Sequence, residues 1–277
     1  MSAETQPVHS QTRVEIPEVT ANSRVVEVVQ PLIDRLQELI RDKNVGYDEW
    51  HRAVHFMTDV ANSGEMPLLM DVFFEATVDA VANAASVSST TAIEGPFYVP
   101  GAPMLEPPCV MPQRPEEPGE PLVFSGTVKA PDGKPIVGAL LDVWHSDAKV
   151  PGTYSNIHPG QPDYNLRGKL RTDDEGRFEL RTVRAAPYAI PDQGPTGRLL
   201  NALGRHSWRP AHIHVKLSAE GYQPLTTQLY FEGDDFLTSD AASAVKDDLV
   251  LPLRRAGSNG GSRLTLRYDF QLAPARP

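Results

Sequence analysis

The sequence predicts an α+β protein: an N-terminal α-helical segment followed by a mainly antiparallel β-sandwich. Three observations carry this expectation. Apolar residues recur at helical spacing only as far as the stretch Ser86 to Thr91. Beyond it come short β-like runs separated by turn signals. The 26 prolines cluster at 96–135 and 187–210, a density that suits turns and strand edges better than helices. The expected divisions are a loose tail over 1–23, a helical segment over 24–90 and a sandwich over 91–277.

The tail is polar and turn-rich. Leu32, Ile33, Leu36, Leu39 and Ile40 then recur at helical spacing, with Asp34, Arg35, Gln37 and Glu38 between them. Pro31 is either the first-turn proline of this helix or a kink in a longer one beginning near Val25. Further helices are expected over 47–61 and 67–85, with breaks at Asn44 to Gly46 and Asn62 to Gly64. The third helix carries Leu68, Leu69, Val72, Phe73, Val78 and Val81, a broader apolar face than one small core requires. Packing against the next domain, an oligomer interface or a lipid-like ligand would each account for the excess. Strands are expected over 122–128, 139–145, 169–172, 178–183, 212–217, 228–231 and 264–272. Asp132-Gly133 and Asp174-Glu175-Gly176 are turn signals. No internal repeat is present.

The net charge of −10 and pI near 5.3 argue against nucleic acid and anionic membranes as partners. No run of about 18 apolar residues is present to span a bilayer. Residues 1–19 lack a basic stretch followed by an apolar one, so no secretory signal is expected. The single cysteine, Cys109, excludes an internal disulfide. These features lead to the expectation of a cytoplasmic protein.

The candidate chemistry centres on Arg205 to His214, Arg-His-Ser-Trp-Arg-Pro-Ala-His-Ile-His. In a strand, His212 and His214 share one face and could reach one metal ion. Arg209 stands three residues before His212, and the Arg209-Pro210 step favours an extended approach. Two histidines need further ligands. A 2-His-1-carboxylate Fe(II) site would offer a His-x-Asp/Glu pair, but the third residue here is His. Glu220 is available, beside Gly221 at an expected strand end. Zinc favours cysteine, a third histidine or a carboxylate. Cys109 is distant in a proline-rich loop, while His145, His158 and His206 stay open as candidates. Tyrosine is the other donor, since phenolate is a hard anionic oxygen suited to ferric iron. Tyr154 in Pro-Gly-Thr-Tyr-Ser and Tyr188 in Ala-Pro-Tyr-Ala-Ile-Pro both lie in turn-rich stretches, where function concentrates.

Taken together, these motifs resemble the intradiol ring-cleaving dioxygenases. The resemblance is carried by Ile93-Glu94-Gly95-Pro96-Phe97-Tyr98, Asp142-Val143-Trp144-His145, Gly152-Thr153-Tyr154-Ser155 and Tyr164-Asn165-Leu166-Arg167-Gly168. It continues through Gly194-Pro195-Thr196, Gly204-Arg205-His206, Arg209-Pro210-Ala211-His212-Ile213-His214 and Thr226-Thr227-Gln228. The helical N-terminal segment makes the chain most similar to the catechol 1,2-dioxygenase group. The resemblance implies a β-sandwich catalytic core and a helical segment that joins a homodimer, with a phospholipid-like molecule between the subunits. It implies Fe(III) held by Tyr154, Tyr188, His212 and His214. It makes Tyr188, Arg209 and Gln228 catalytic, Tyr188 as a proton acceptor. It implies substrate contacts at Leu68, Asp71, Ile93, Pro96, Phe97, Arg209 and Ala241. The substrates would be a small aromatic diol and O2, and the product of catechol itself would be cis,cis-muconate.

One departure is a longer span between Trp144 and Tyr154, at Lys149-Val150-Pro151, which is expected to reshape that loop. Asp240-Ala241-Ala242-Ser243 resembles catechol enzymes more than chlorocatechol enzymes, which tend to carry cysteine there. Gly197-Arg198-Leu199-Leu200 and Ile157-His158 resemble the chlorocatechol branch. Hydroxyquinol cleavage is a further alternative, disfavoured by Gln228. A reading from another class is a non-catalytic sandwich that binds a ligand in the same pocket, which requires the four metal donors to be coincidental.

Overall fold

The first helix, α1 (Ser23–Asp42), starts where the Asn22 side chain accepts hydrogen bonds from the backbone N–H groups of Arg24 and Val25. Pro31 lies inside it, so the longer of the two expected helices forms. The computed structural model describes residues 20–257 and 263–275, so the expected tail falls, up to residue 19, outside the described residues. The chain divides into two units, residues 1–55 and 56–277. In the first, no residue of α1 is buried, and Leu32, Leu36 and Leu39 keep 56, 51 and 51 % of their surface exposed. Asn44 reverses the chain at φ 50°, a conformation asparagine tolerates better than most residues. The helix that follows, α2 (Tyr47–Asn62), has Asp48 and Glu49 in its first turn, matching the positive end of the helix dipole. Glu49 also accepts from the Gly46 N–H.

In the second unit the expected helix over 67–85 forms as α3 (Met66–Met70), a π-helical turn over Asp71–Glu75 and α4 (Ala76–Asn83). Such turns within helices are frequent at functional sites. Leu68, Leu69 and Val72 are buried, so Val72 does not belong to the apolar excess, whereas Phe74, Val78 and Val81 are exposed. The strands are β1 (Pro121–Lys129), β2 (Leu140–His145), β3 (Arg167–Arg171), β4 (Arg177–Val183) and β5 (Tyr188–Ala189). Helix α5 (Pro195–Ala202) intervenes. Then come β6 (Trp208–Arg209), β7 (His212–Ser218), β8 (Leu225–Phe231), β9 (Val250–Leu251), β10 (Arg254–Ala256), β11 (Arg263–Arg267) and β12 (Phe270–Gln271).

One sheet runs β3-β2-β7-β8-β9, and the other β10-β11-β1-β12 with β4 along the opposite edge of β1. Most pairs are antiparallel, but β1 pairs parallel with β11 and β12, and β8 with β9. The single strand expected over 264–272 is two strands, because the chain bulges at Tyr268 and Asp269. The Tyr268 carbonyl passes so close to Gly126 that a Cβ there would sit 1.7 Å from its oxygen. Only glycine admits that approach, and Asp269 then accepts from the Thr127 backbone and hydroxyl.

Between the sheets lie Phe124, Val143, Leu180, Ile213, Val215, Leu229 and Leu266, all fully buried. The β7 residues that alternate with this set, His212 and His214, therefore face away from the inter-sheet core. His145 is a polar side chain inside. Its Nδ1 donates to the Ser146 carbonyl and its Nε2 accepts from the Thr182 hydroxyl on the facing sheet.

Burial pushes the His145 imidazole down to about 4. The unfolded chain, at about 6.5, binds a proton there that the folded protein refuses. The sign is that stability rises with pH through this window. The contribution is present above about pH 6.5 and is lost as pH falls to 4, worth about 3 kcal/mol. Denaturant unfolding across this range should show the slope, and His145→Gln should remove part of it. An equal slope in the variant would contradict the prediction.

Candidate active site

The site is built on the outer face of the β3-β2-β7-β8 sheet. Register places Arg167, Trp144, His214 and Gln228 opposite one another across four strands. Trp144 stacks flat on His214, with ring centroids 4.5 Å apart and planes 7° apart. One step along, His212 lies opposite Tyr230.

A short ribbon and a loop bring the phenols. Tyr188 sits on the two-residue ribbon β5-β6, paired with Arg209 rather than free in a loop. Tyr154 is held by reciprocal bonds between Asp147 and Thr153, and by Gly152 N–H donating to the Pro187 carbonyl. The added residues Lys149 to Pro151 are exposed, at the tip of the loop that Asp147 and Thr153 close. His158 accepts from the Tyr154 N–H and donates its own backbone N–H to the Tyr154 carbonyl. The two tyrosine rings meet edge to face at 5.1 Å, Tyr154 lies 6.3 Å from the His214 ring, and Tyr188 lies 5.6 Å from the His212 ring.

All four donors are at most 2 % exposed. His212 Nδ1 donates to the Pro210 carbonyl, so its Nε2 is a lone pair, and it faces His214 Nε2 at 3.0 Å. The Tyr154 hydroxyl and His214 Nδ1 have no hydrogen-bond partner. Burial holds the His212 imidazole down at about 3, aided by Arg209, and His214 well below its ordinary range. Burial raises both phenols, and Arg209 opposes the rise at each. The arrangement is two neutral imidazoles beside two phenols in a buried site. Among the described residues no group of three or more His, Cys, Asp or Glu converges on one point, so a metal here must take phenol oxygen as well as imidazole. The orphaned Tyr154 hydroxyl and the lone pair on His212 fit such an ion.

Arg209 connects the site's polar groups. Its Nη1 donates to Tyr188 Oη at 3.2 Å, and its Nη2 to Gln228 Oε1 at 2.9 Å and Tyr230 Oη at 3.2 Å. Asp240 pairs with it at two points, Nε to Oδ1 at 2.8 Å and Nη2 to Oδ2 at 3.1 Å. Burial disfavours charge on both groups, yet each holds the other ionised: Asp240 lies below its ordinary value and Arg209 well above. Gln228 is fixed by donating Nε2 to the Ile93 carbonyl at 2.7 Å.

Of the residues expected at the substrate, Leu68, Phe97 and Ala241 pack in one cluster with Tyr154 and Tyr188. Phe97 stacks on Tyr154 at 4.8 Å and meets Tyr188 at 5.6 Å. Ile93 contributes its carbonyl, while its side chain packs with Ala242 and Ala244. Pro96 is exposed. Asp71 is half-buried on the π-helical turn, its carboxyl raised by burial and by Glu94. The other metal candidates are used elsewhere: His145 between the sheets, His206 against Ser239 at the surface, Cys109 near the Leu105 carbonyl, and Glu220 exposed at a strand end. Sequence reasoning did not assign roles to Asp240, Tyr230 or Arg167. Only the strand register, which puts Arg167 level with Trp144, and the return of 240–244 under Arg209 bring them in.

Residues 93–274 match the family described as Dioxygenase, and residues 22–90 match that described as Catechol dioxygenase N terminus. The chain belongs to the intradiol catechol dioxygenase family. This intradiol dioxygenase is 44 % identical to a chlorocatechol 1,2-dioxygenase of Rhodococcus opacus, over 91 % of the chain and 98 % of the relative. It is 37 % identical to catechol 1,2-dioxygenase 1 of Acinetobacter lwoffii, over 90 % of the chain and 81 % of the relative. The solved 3-chlorocatechol 1,2-dioxygenase of Rhodococcus opacus 1CP superposes with a TM-score of 0.87 at 43 % identity, covering 91 % of this chain and 99 % of that one. The hydroxyquinol 1,2-dioxygenase of Pseudomonas putida DLL-E4 superposes at 0.85 with 31 % identity, covering 92 % and 94 %. Among the described residues, no helix of the dioxygenase is long and apolar enough to cross a membrane.

Proposed function

We propose that the chain is a cytoplasmic Fe(III) enzyme that opens catechols between their two hydroxyl-bearing carbons, with Tyr154, Tyr188, His212 and His214 as the iron ligands. Both atoms of O2 enter the product, a cis,cis-muconate in the case of catechol. The observation that carries the reading is the convergence of two buried phenols and two neutral imidazoles beside Arg209. Bound ferric iron supplies the Lewis acidity and one-electron partnership that make a catecholate reactive toward O2. Catechol has two protons to lose, and Tyr188 Oη accepts one of them. Arg209 Nη1, donating to that oxygen, stabilises it as an anion until the proton arrives. The same guanidinium stands ready for negative charge developing on the ring. Gln228, anchored on Ile93, keeps it aimed. Leu68, Phe97 and Ala241 face the ring and exclude water.

The substrate range includes chlorinated catechols. The matches to chlorocatechol 1,2-dioxygenases reach 44 % identity over 97–98 % of their length, against 37 % over 81 % for catechol 1,2-dioxygenase 1, which favours chlorocatechols over catechol as the better substrates. Catechol stays as the second reading, on Asp240-Ala241-Ala242-Ser243. The purified protein should contain iron and show a broad visible absorption band from the tyrosinate–iron pair. It should turn over catechol, chlorocatechols and hydroxyquinol at different rates, with labelled O2 tracing into the product. A colourless, inactive protein that binds iron stoichiometrically would overturn the ligand assignment. Ala241→Cys and Phe97→Tyr should shift the ratio of catechol to 4-chlorocatechol turnover without changing metal content. Single pocket contacts are worth roughly 1–3 kcal/mol in discrimination. Unchanged ratios in both would remove these residues from the pocket.

The reading includes a homodimer joined through the N-terminal helices, with an acyl chain in the joint. It is supported by the apolar surface that α1 leaves open, since large contiguous exposed patches usually mark interfaces. Sedimentation should show a dimer for the parent and a monomer for Leu36→Glu, with extractable lipid in the parent alone. A monomeric, lipid-free parent would refute it.

A further inference from the structure

We infer that Arg167 is a positioning residue for Tyr154: it grips the loop that carries the phenol and faces the ring with a buried positive charge. The inference rests on the proposed ligand role of Tyr154 for its consequence, though not for its geometry.

Arg167 lies on β3 and is 1 % exposed. Its Nε donates to the Ser155 hydroxyl at 3.0 Å and its Nη2 to the Ser155 carbonyl at 2.9 Å. The Ser155 hydroxyl in turn donates to the Asn165 carbonyl at 2.7 Å, so the grip closes back onto the start of β3. The guanidinium carbon stands 5.8 Å from the centre of the Tyr154 ring. Among the described residues no carboxylate lies within ion-pair distance of Arg167, and its Nη1 has no hydrogen-bond partner. A buried cation with no carboxylate in direct contact is costly. Tyr154 as a phenolate, the form in which it would bind ferric iron, would be the main anion balancing it, with the Asp142 carboxylate acting from further off. The planar fork matters too, because it spans a hydroxyl and a carbonyl at once, which an ammonium does not.

Two readouts test this. In the iron-free protein, amide hydrogen exchange at 153–158 reports the grip. Arg167→Met should speed exchange there about tenfold or more, as expected for losing two hydrogen bonds to a charged group, while β2 and β7 keep their protection. Ser155→Ala should produce a smaller change in the same segment. In the iron-loaded protein, the visible band should move to longer wavelength in Arg167→Met, because the phenolate loses a neighbouring cation. It should return toward the parent position in Arg167→Lys, which keeps the charge but not the fork. Unchanged exchange at 153–158, or protection lost throughout the sandwich, would overturn the grip. A band that stays in place in Arg167→Met would overturn the charge balance. A parent without any band would count against the iron ligands, and the exchange result would still decide the grip.

Discussion

Tyr188→Phe is expected to lower kcat by about 10²- to 10⁴-fold, the range that a positioned proton acceptor contributes. Part of the iron should stay bound. Tyr154, His212 and His214 would still offer three donors, and removing one hydroxyl opens no large cavity at a side chain packed against Phe97 and Tyr154. The visible band should weaken, because one of two phenolate donors is gone. Arg209 Nη1 would lose its partner, but its four other bonds, to Gln228, Tyr230 and Asp240, would keep the guanidinium in place. The loss should therefore appear in kcat far more than in KM. A variant with full activity would remove Tyr188 from the reaction. A variant with no iron at all would make its role that of a metal anchor first.

The strand-face argument made the β7 part of this site legible. Alternation alone puts His212 and His214 on the face opposite Ile213 and Val215, and the structure has them so. The helix-then-sandwich order was legible for the same reason, since the change of hydrophobic period near residue 89 is a property of the chain itself. Local signals failed where a distant residue completes an element. Helix α5 is absent from the expected elements, since Gly194-Pro195-Thr196-Gly197 offers no capping side chain to signal a start. The structure supplies one from elsewhere: the Glu65 carboxylate accepts from the Thr196 N–H at the helix N-terminus. It packs so closely that a Cβ on Gly194 would strike it. The ribbon β5-β6 was missed because two-residue strands have no period to detect. Strand β8 was expected to start at Gln228 and starts at Leu225, since the polar pair Thr226-Thr227 masks it. The Asp240 role was invisible in the same way. Asp240 reads as a loop acid, and only the fold carries it under Arg209.

That buried pair gives the other large effect. Asp240→Asn is expected to destabilise the protein by about 3–5 kcal/mol, the usual result of leaving one partner of a buried ion pair uncompensated. The Asp240 carboxylate accepts four hydrogen bonds, two from Arg209 and one each from the Ala242 and Ala244 backbone N–H groups. An amide can supply one oxygen. Its NH2, whichever oxygen it replaced, would then face both a guanidinium N–H and a backbone N–H, donor against donor. The thermal midpoint should fall by roughly 10 °C for a domain of this size. Activity should fall further than stability alone requires, by about 10²- to 10³-fold in kcat measured well below the unfolding temperature, because a guanidinium no longer held in place is a weaker preorganised donor. The two effects separate in Asp240→Glu. A longer carboxylate keeps the charge but shifts the fork, so much of the stability should return while kcat stays low. If Asp240→Asn retained both its midpoint and its kcat, Arg209 would be held adequately by Gln228, Tyr230 and Tyr188 alone, and the ion pair would have no part in the chemistry.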